Sequence, residues 1–210
     1  MCFLAHSIDG TFVIIKRFKP SIFKKNKEKN SYEAVILSQL KHNAIPELLG
    51  VINQKGFYGF VLDYKQGYTA DELLFKYKHK FTNEEFINIG IQLIKIIKYI
   101  HKKGVVHRDI RIPNVLIDKE DVYLIDFGLA RYEDTNKYSY DLDFSYLGDF
   151  LLYLLYSSFE TKERHKKLPW YKELTLKTNQ EFFIKRLLGL EMSYKTIYDI
   201  ERDFITVFRI

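Results

Sequence analysis

Two polar clusters, each pressed against short β-branched or aliphatic runs, restrict the folding of this chain more than any other feature. The first is His107-Arg108-Asp109-Ile110-Arg111-Ile112-Pro113-Asn114, entered from Val105-Val106 and left through Val115-Leu116-Ile117. The second is Asp126-Phe127-Gly128, entered from Tyr123-Leu124-Ile125. The apolar runs read as short strands, and side chains at strand ends are held rigidly, so the charged and polar residues beside them, Asp109, Asn114 and Asp126 among them, are candidates for chemistry. Directly upstream, Thr82 and Glu85 make a capping box, and Phe86, Ile89, Leu93, Ile96, Ile97 and Ile100 form one apolar face. With Gly104 as terminator, this pattern predicts a helix over 82–103.

The flanks differ in character. Phe12-Val13-Ile14-Ile15 is a β-branched run entered from the Asp9-Gly10 turn, with Cys2 to Ala5 as its expected hairpin partner. Tyr32 to Leu40 reads as a helix and Gly56 to Leu62 as a strand. From about Thr69 the pattern turns helical apart from the short strands named above, and beyond Asp141 it is mostly helical. Strands followed by helices make an α+β plan with a crevice between two lobes. A chain of 210 residues that is 47% hydrophobic can bury a core, which argues against disorder. Its single cysteine, Cys2, excludes an internal disulfide. The most apolar run, Phe150 to Tyr156, falls far short of the ~20 residues of a spanning helix and reads as a buried one. Met1 to His6 lacks the basic flank and long apolar stretch of a signal peptide, so a cytoplasmic location is expected. The net charge of +6 arises from 33 basic residues interspersed with 27 acidic ones, a mild pull toward anions such as nucleotides.

The two polar clusters resemble the catalytic loop and the metal-binding loop of the eukaryotic-type (Hanks-type) Ser/Thr protein kinases, and Asp109 to Asn114 keeps the interval H-R-D-x-x-x-x-N. The resemblance implies an α+β, two-lobed protein-kinase-like fold. A small, truncated β-rich N-lobe would span 1–62, a hinge 63–67 and a larger helical C-lobe 68–210. Asp109 would be the catalytic base, Asn114 and Asp126 the ligands of Mg²⁺, a hard cation that prefers oxygen, and Gly128 a tight turn. Val13-Ile14-Ile15-Lys16 resembles V-A-I-K, making Lys16 the phosphate-contacting lysine; Glu33 would be its partner, with Glu28 a nearby competitor. Phe60 to Gly67 resembles the hinge, where adenine would meet main-chain groups of Asp63 and Lys65, with Ile14 above, Leu62 behind and Leu116 below. Asp143-Phe144-Ser145-Tyr146-Leu147-Gly148-Asp149 resembles the start of the family's central helix, D-x-W-S-x-G, whose aspartate bonds the catalytic-loop backbone. A helix cap is the plainer role for Asp143. ATP and Mg²⁺ are the implied cofactors, and a protein substrate or partner protein the implied macromolecule.

Three departures from the family pattern stand out. Met1 falls where the glycine-rich loop should end, so either the chain begins late relative to a longer product or nucleotide binds under an open roof with weakened activity. The interval from Asp126 to Asp143 is shorter than the usual activation segment and contains no A-P-E. Constitutive geometry is therefore expected, with Arg108 bound locally and no arginine near Glu191 to Tyr194 to pair with the missing glutamate. Finally, Ile14 replaces an alanine, and Arg111 replaces the lysine that usually touches the transferred phosphate, keeping its charge in a planar fork. Arg111 thus joins Lys16, Glu33 and Asp109 in the expected catalytic set.

The leading expectation is an ATP-dependent Ser/Thr protein kinase. The alternatives are a pseudokinase serving as a protein-binding scaffold, and a kinase or ATPase acting on a small molecule or partner complex. Phe23 to Lys29 reads as a solvated loop, so nucleic acid is not an expected partner, nor is a membrane. Tyr138-Ser139-Tyr140 is not read as an autophosphorylation site. His42, His101 and His165 lack metal-ligand spacing, so zinc is not expected. Trp170 reads as a packing anchor and Glu181 to Leu190 as a core helix.

Overall fold

The structure is a computed structural model that describes residues 1–18, 27–54, 56–134, 136–159 and 168–209, with 27–31 described by backbone alone. Strands β1 (Cys2–His6) and β2 (Phe12–Phe18) form the expected hairpin, turned where Gly10 takes a φ of +86° and Asp9 Oδ1 accepts from Thr11 N at 3.0 Å. With β3 (Leu48–Gln54) and β4 (Phe57–Asp63) they make an antiparallel sheet of order β1-β2-β4-β3. Residues directly opposite in such a sheet point the same way. The register sets Ile14 across from Leu62, and both Cys2 and Phe60 across from Lys16, so these side chains share one face.

Helix α1 (Lys27–Gln39) packs against β3 and against a short turn at Phe127–Leu129, burying Ile36 and Leu37. It starts before Tyr32, so Lys27 to Lys29, expected in a loop, belong to the helix; 23–26 lie outside the described residues. Strand β3 was not expected from the sequence, whereas β4 lies where one was.

Helix α2 (Asn83–Lys102) is the spine of the helical part. Thr82 Oγ1 accepts from Glu85 N at 3.2 Å, and Glu85 Oε2 accepts from Thr82 N at 2.7 Å, closing the capping box. Around it pack α3 (Asp141–Tyr156) and α6 (Ile197–Phe208), with α4 (Trp170–Glu173) and α5 (Thr178–Leu187) outside. Phe86, Phe183, Phe204 and Phe208 meet with ring centroids 5.0 to 5.8 Å apart. Gly90 of α2 admits this cluster, because a Cβ there would stand 2.3 Å from the Phe204 ring. Trp170 packs on the core as expected, and α5 buries Phe183, Ile184 and Leu187 while Phe182 stays exposed.

Five short strands cross the junction: β5 (Tyr68–Thr69), β6 (Val105–Val106), β7 (Val115–Asp118), β8 (Asp121–Leu124) and β9 (Arg131–Tyr132). The β7–β8 hairpin carries β5 on its outer edge. The β6–β9 pair, Val105 across from Tyr132 and Val106 across from Arg131, fastens the loop after β6 to the segment before β9. No helix among the described residues is long and apolar enough to cross a membrane.

Candidate active site

A cavity of about 380 Å³ lies between the four-stranded sheet and the β7–β8 hairpin. Its apolar walls come from Ile14, Leu62 and Leu116, and its polar end from Lys16, Glu33, Asn114 and Asp126. The sheet register explains half of this, since Ile14 and Lys16 are two residues apart on β2 and Leu62 faces Ile14 from β4. Leu116 arrives from β7, where it pairs with Thr69. Asp63 and Lys65 line the rim and are tied to each other, Lys65 Nζ to Asp63 Oδ2 at 2.7 Å; the other Asp63 oxygen accepts from Glu47 N. With these side chains paired, what the rim offers a ligand is main chain. Gly67, at a φ of +126°, must be glycine, because a Cβ there would sit 2.7 Å from the Ile117 carbonyl oxygen.

At the polar end, Lys16 Nζ donates to Glu33 Oε1 at 2.6 Å and to Asp126 Oδ1 at 2.7 Å. Burial alone would push the Lys16 ammonium down, but Glu33 and Asp126 outweigh it and its pKa rises. Glu33, 2% exposed, goes the other way: burial raises its carboxyl despite Lys16. For Asp126, burial is overcome by Lys16 and by the Gly128 N–H, which reaches Oδ1 at 3.1 Å, so its pKa is lowered. The side chain of Glu28 lies outside the described residues; among the described side chains of α1, Glu33 is the carboxylate bonded to Lys16.

Gly128 lies in the short tight turn Phe127–Leu129. The left-handed residue is Asp126, just before it, at a φ of +60°, while Gly128 also makes room: a Cβ on it would lie 3.0 Å from Asp126 Oδ1 and 3.3 Å from Lys16 Nζ.

The first polar cluster is held from below. Asp143, 0% exposed, accepts three hydrogen bonds: from His107 N at 2.8 Å, Arg108 N at 2.7 Å and His101 Nε2 at 2.9 Å. It sits inside the first turn of α3 and does not cap it; the cap position is Tyr140, which makes no side-chain cap bond. His107 is fully buried, and its Nδ1 accepts from Asp109 N at 3.3 Å while Nε2 donates to the Ile125 carbonyl at 3.2 Å. Those partners require the neutral Nε2–H tautomer. Burial likewise drives the His107 pKa down.

Asp109 is ordered from two sides. Asn114 Nδ2 donates to its Oδ2 at 2.8 Å and to its carbonyl at 2.9 Å, which leaves the Asn114 Oδ1 as a hard oxygen for a cation. Arg111 forks onto it, Nε to Oδ1 at 2.5 Å and an Nη to Oδ2 at 3.1 Å. Arg111 is 56% exposed at its side chain and does not line the cavity; it covers Asp109 from outside. Of the site residues named from sequence, Asp109 too lies off the cavity wall and meets it through Asn114, whereas Ile14, Lys16, Glu33, Leu62, Asp63, Lys65, Asn114, Leu116 and Asp126 line it. Sequence reasoning missed Cys2, Pro46 and Ile125 on the cavity wall. Only strand register could have shown Cys2, since it pairs with Lys16.

A sequence model described as the protein kinase domain matches residues 2–152. The chain belongs to the protein kinase family. Among curated proteins it is similar to YbdM, a probable serine/threonine-protein kinase of Bacillus subtilis, 35% identical over 198 residues, 90% of this chain and 77% of that one. The probable serine/threonine-protein kinase fnkB of Dictyostelium discoideum is 38% identical over 109 residues, 50% of this chain and 20% of its own. The CTD kinase subunit alpha of Schizosaccharomyces pombe is 30% identical over 139 residues, 63% and 22% of the respective chains. The kinase domain has the small antiparallel sheet and helical body of this family.

Members of this kinase family use ATP and Mg²⁺, and the residues present fit both. The cavity has apolar walls and a polar end, with one cation and three oxygen-bearing side chains where phosphates and a hard ion would lie. The space kept free at Gly128 is part of the same fit.

Proposed function

We propose that this chain transfers the terminal phosphoryl group of ATP to a serine or threonine hydroxyl of a protein. One observation carries the reading: a connected set of hydrogen bonds. It runs from Glu33 through Lys16 to Asp126, and from the adjoining Ile125 carbonyl through His107 to Asp109 and Asn114. Cleft groups arranged in this way are preorganised, and phosphoryl transfer depends almost entirely on positioning and electrostatics. The functional units we assign are an N-lobe of 1–62, a hinge of 63–67 and a C-lobe from 68 onward.

ATP and Mg²⁺, when bound, supply the phosphoryl group and neutralise its charge. Lys16, kept cationic by two carboxylates, orients phosphate oxygens. Asn114 Oδ1 and the Asp126 carboxylate hold the ion. Ile14, Leu62 and Leu116 enclose the base, which meets main chain at Asp63 and Lys65. Asp109 receives the proton of the attacking hydroxyl at a carboxylate oxygen, and Arg111 keeps that carboxylate aimed until the acceptor arrives.

The test compares wild type with Asp109→Asn, following γ-phosphate from Mg-ATP with and without a generic protein substrate. Wild type should label protein, and Asp109→Asn should do so about 10²- to 10⁴-fold more slowly while binding nucleotide as before. The double engagement of Asp109 by Arg111 favours one rival, a scaffold that binds ATP without turnover, for which wild type and variant would be equally silent. Hydrolysis without protein labelling would move the acceptor to a small molecule or partner complex.

A further inference from the structure

Arg108 links three segments. Its main chain, at a φ of +68°, is fixed by Asp143. Its side chain reaches the Leu129 carbonyl through an Nη at 3.0 Å, just past Asp126-Phe127-Gly128, and its guanidinium carbon lies 4.5 Å from the Tyr138 ring centroid. No carboxylate is among these partners. Its Nε–H is buried and has no hydrogen-bond partner, the one such side-chain atom among the described residues. What holds the guanidinium in place is therefore a single carbonyl and an aromatic face.

That face is itself immobilised. Asp134 and Tyr138 exchange backbone hydrogen bonds in both directions, at 3.0 and 2.7 Å, and Asn136 N is held by Asp134 Oδ1 at 3.0 Å. The segment reaches Tyr138 from β9, which is paired to β6 immediately before His107. Resting on the phosphotransferase reading above, we propose that Tyr138 is a positioning residue: its uncharged ring anchors Arg108 and so locks the catalytic loop to the Phe127–Leu129 turn without any covalent modification. A planar cation stacked on a ring is stabilised by the ring's electron-rich face and loses little rotational freedom, so a fixed aromatic side chain can do the work of a counter-ion.

The strongest competitor is a phosphorylated Tyr138. Lys137, Arg108 and Arg131 all act to pull its phenol below the ordinary value, so an anion on that oxygen would find cations nearby. The ring and the phosphate make opposite demands on substitution, and four forms separate them: wild type, Tyr138→Phe, Tyr138→Leu and Tyr138→Glu. Tyr138→Leu should lower kcat about tenfold with KM for ATP within about twofold and an unchanged melting temperature, as befits one lost cation–ring contact, whereas Tyr138→Phe should stay within about twofold of wild type. Amide hydrogen exchange over 127–132 should accelerate in Tyr138→Leu and not in Tyr138→Phe, and phosphatase treatment should leave wild type unchanged.

The proposal is overturned if Tyr138→Phe is as slow as Tyr138→Leu, if Tyr138→Glu restores what Tyr138→Leu loses, or if phosphatase silences wild type. Should wild type transfer no phosphate at all, the phosphotransferase reading fails. The exchange comparison then decides the anchor alone: equal protection of 127–132 in wild type and Tyr138→Leu sinks it.

Discussion

Asp143 and Asp126 each secure a loop beside the cleft, yet Asp143 is wholly buried and Asp126 keeps 49% of its side chain exposed. Asp143 is satisfied by N–H groups that belong to the fold, two of them backbone, so its charge is balanced by dipoles that have nowhere to go. Asp126 is balanced by a long ammonium side chain that another anion could claim, and it sits in a left-handed backbone that few residues other than glycine adopt readily. The contrast separates two tasks. One carboxylate builds the floor of the cleft; the other is left able to change partners.

The largest expected effect tests the floor. Asp143→Ala strands two backbone N–H groups and His101 without an acceptor, and should cost about 3–5 kcal/mol in urea unfolding, taking activity with it. A variant as stable as wild type would erase the distinction between the two anchors.

Acid probes the same floor more gently. Burial holds the His107 pKa below the ordinary ~6.5, so as pH falls below that value the unfolded chain takes up a proton that folded His107 refuses. Stability from this group is whole above pH ~6.5 and declines by up to about 1.4 kcal/mol per unit below it, until the folded pKa is passed. Urea midpoints at pH 7.5 and 5.5 should show the fall, and His107→Phe should flatten it. The Asp126 contribution, also a lowered pKa, is lost only at more acidic pH.

Asp126→Asn should sharpen the comparison from the other side. Being half exposed, it should shift stability by no more than about 1 kcal/mol, while phosphoryl transfer drops about 10²-fold or more. Arg111→Lys should be smallest for the fold, about 0.5 kcal/mol or less at its exposed position, and should appear as a few-fold loss in kcat once the fork on Asp109 becomes a point charge.

How far the molecule could be read in advance depended on how local the physics was. The hairpin at Asp9-Gly10, the capped helix after Thr82 and the short strands flanking the two polar clusters are written within a few residues of themselves. Strand β3 was not legible, because its apolar Leu49 and Val51 face solvent, 50% and 62% exposed, and a register shift between Leu48 and Gly50 breaks the alternation. The early start of α1 was hidden by lysines that look like a loop. The turn at Gly128 could be read locally, but its second constraint could not, since that is space beside Lys16, a residue more than a hundred positions away. Tyr138 stood out only as part of a tyrosine-rich run, and nothing in the run pointed to Arg108: their meeting exists only after β6 and β9 have paired.

Phe204 in its notch at Gly90 bears on how the domain should be cut. The match to the kinase family's sequence model stops at residue 152, but the ring that completes the side of α2 comes from beyond it. A fragment trimmed to that boundary would leave an aromatic-sized hollow, lined by Phe86 and Gly90, open to water along the helix that leads into the His107–Asn114 loop. Sequence likeness and cooperative folding unit therefore have different edges, and expression boundaries should follow the second.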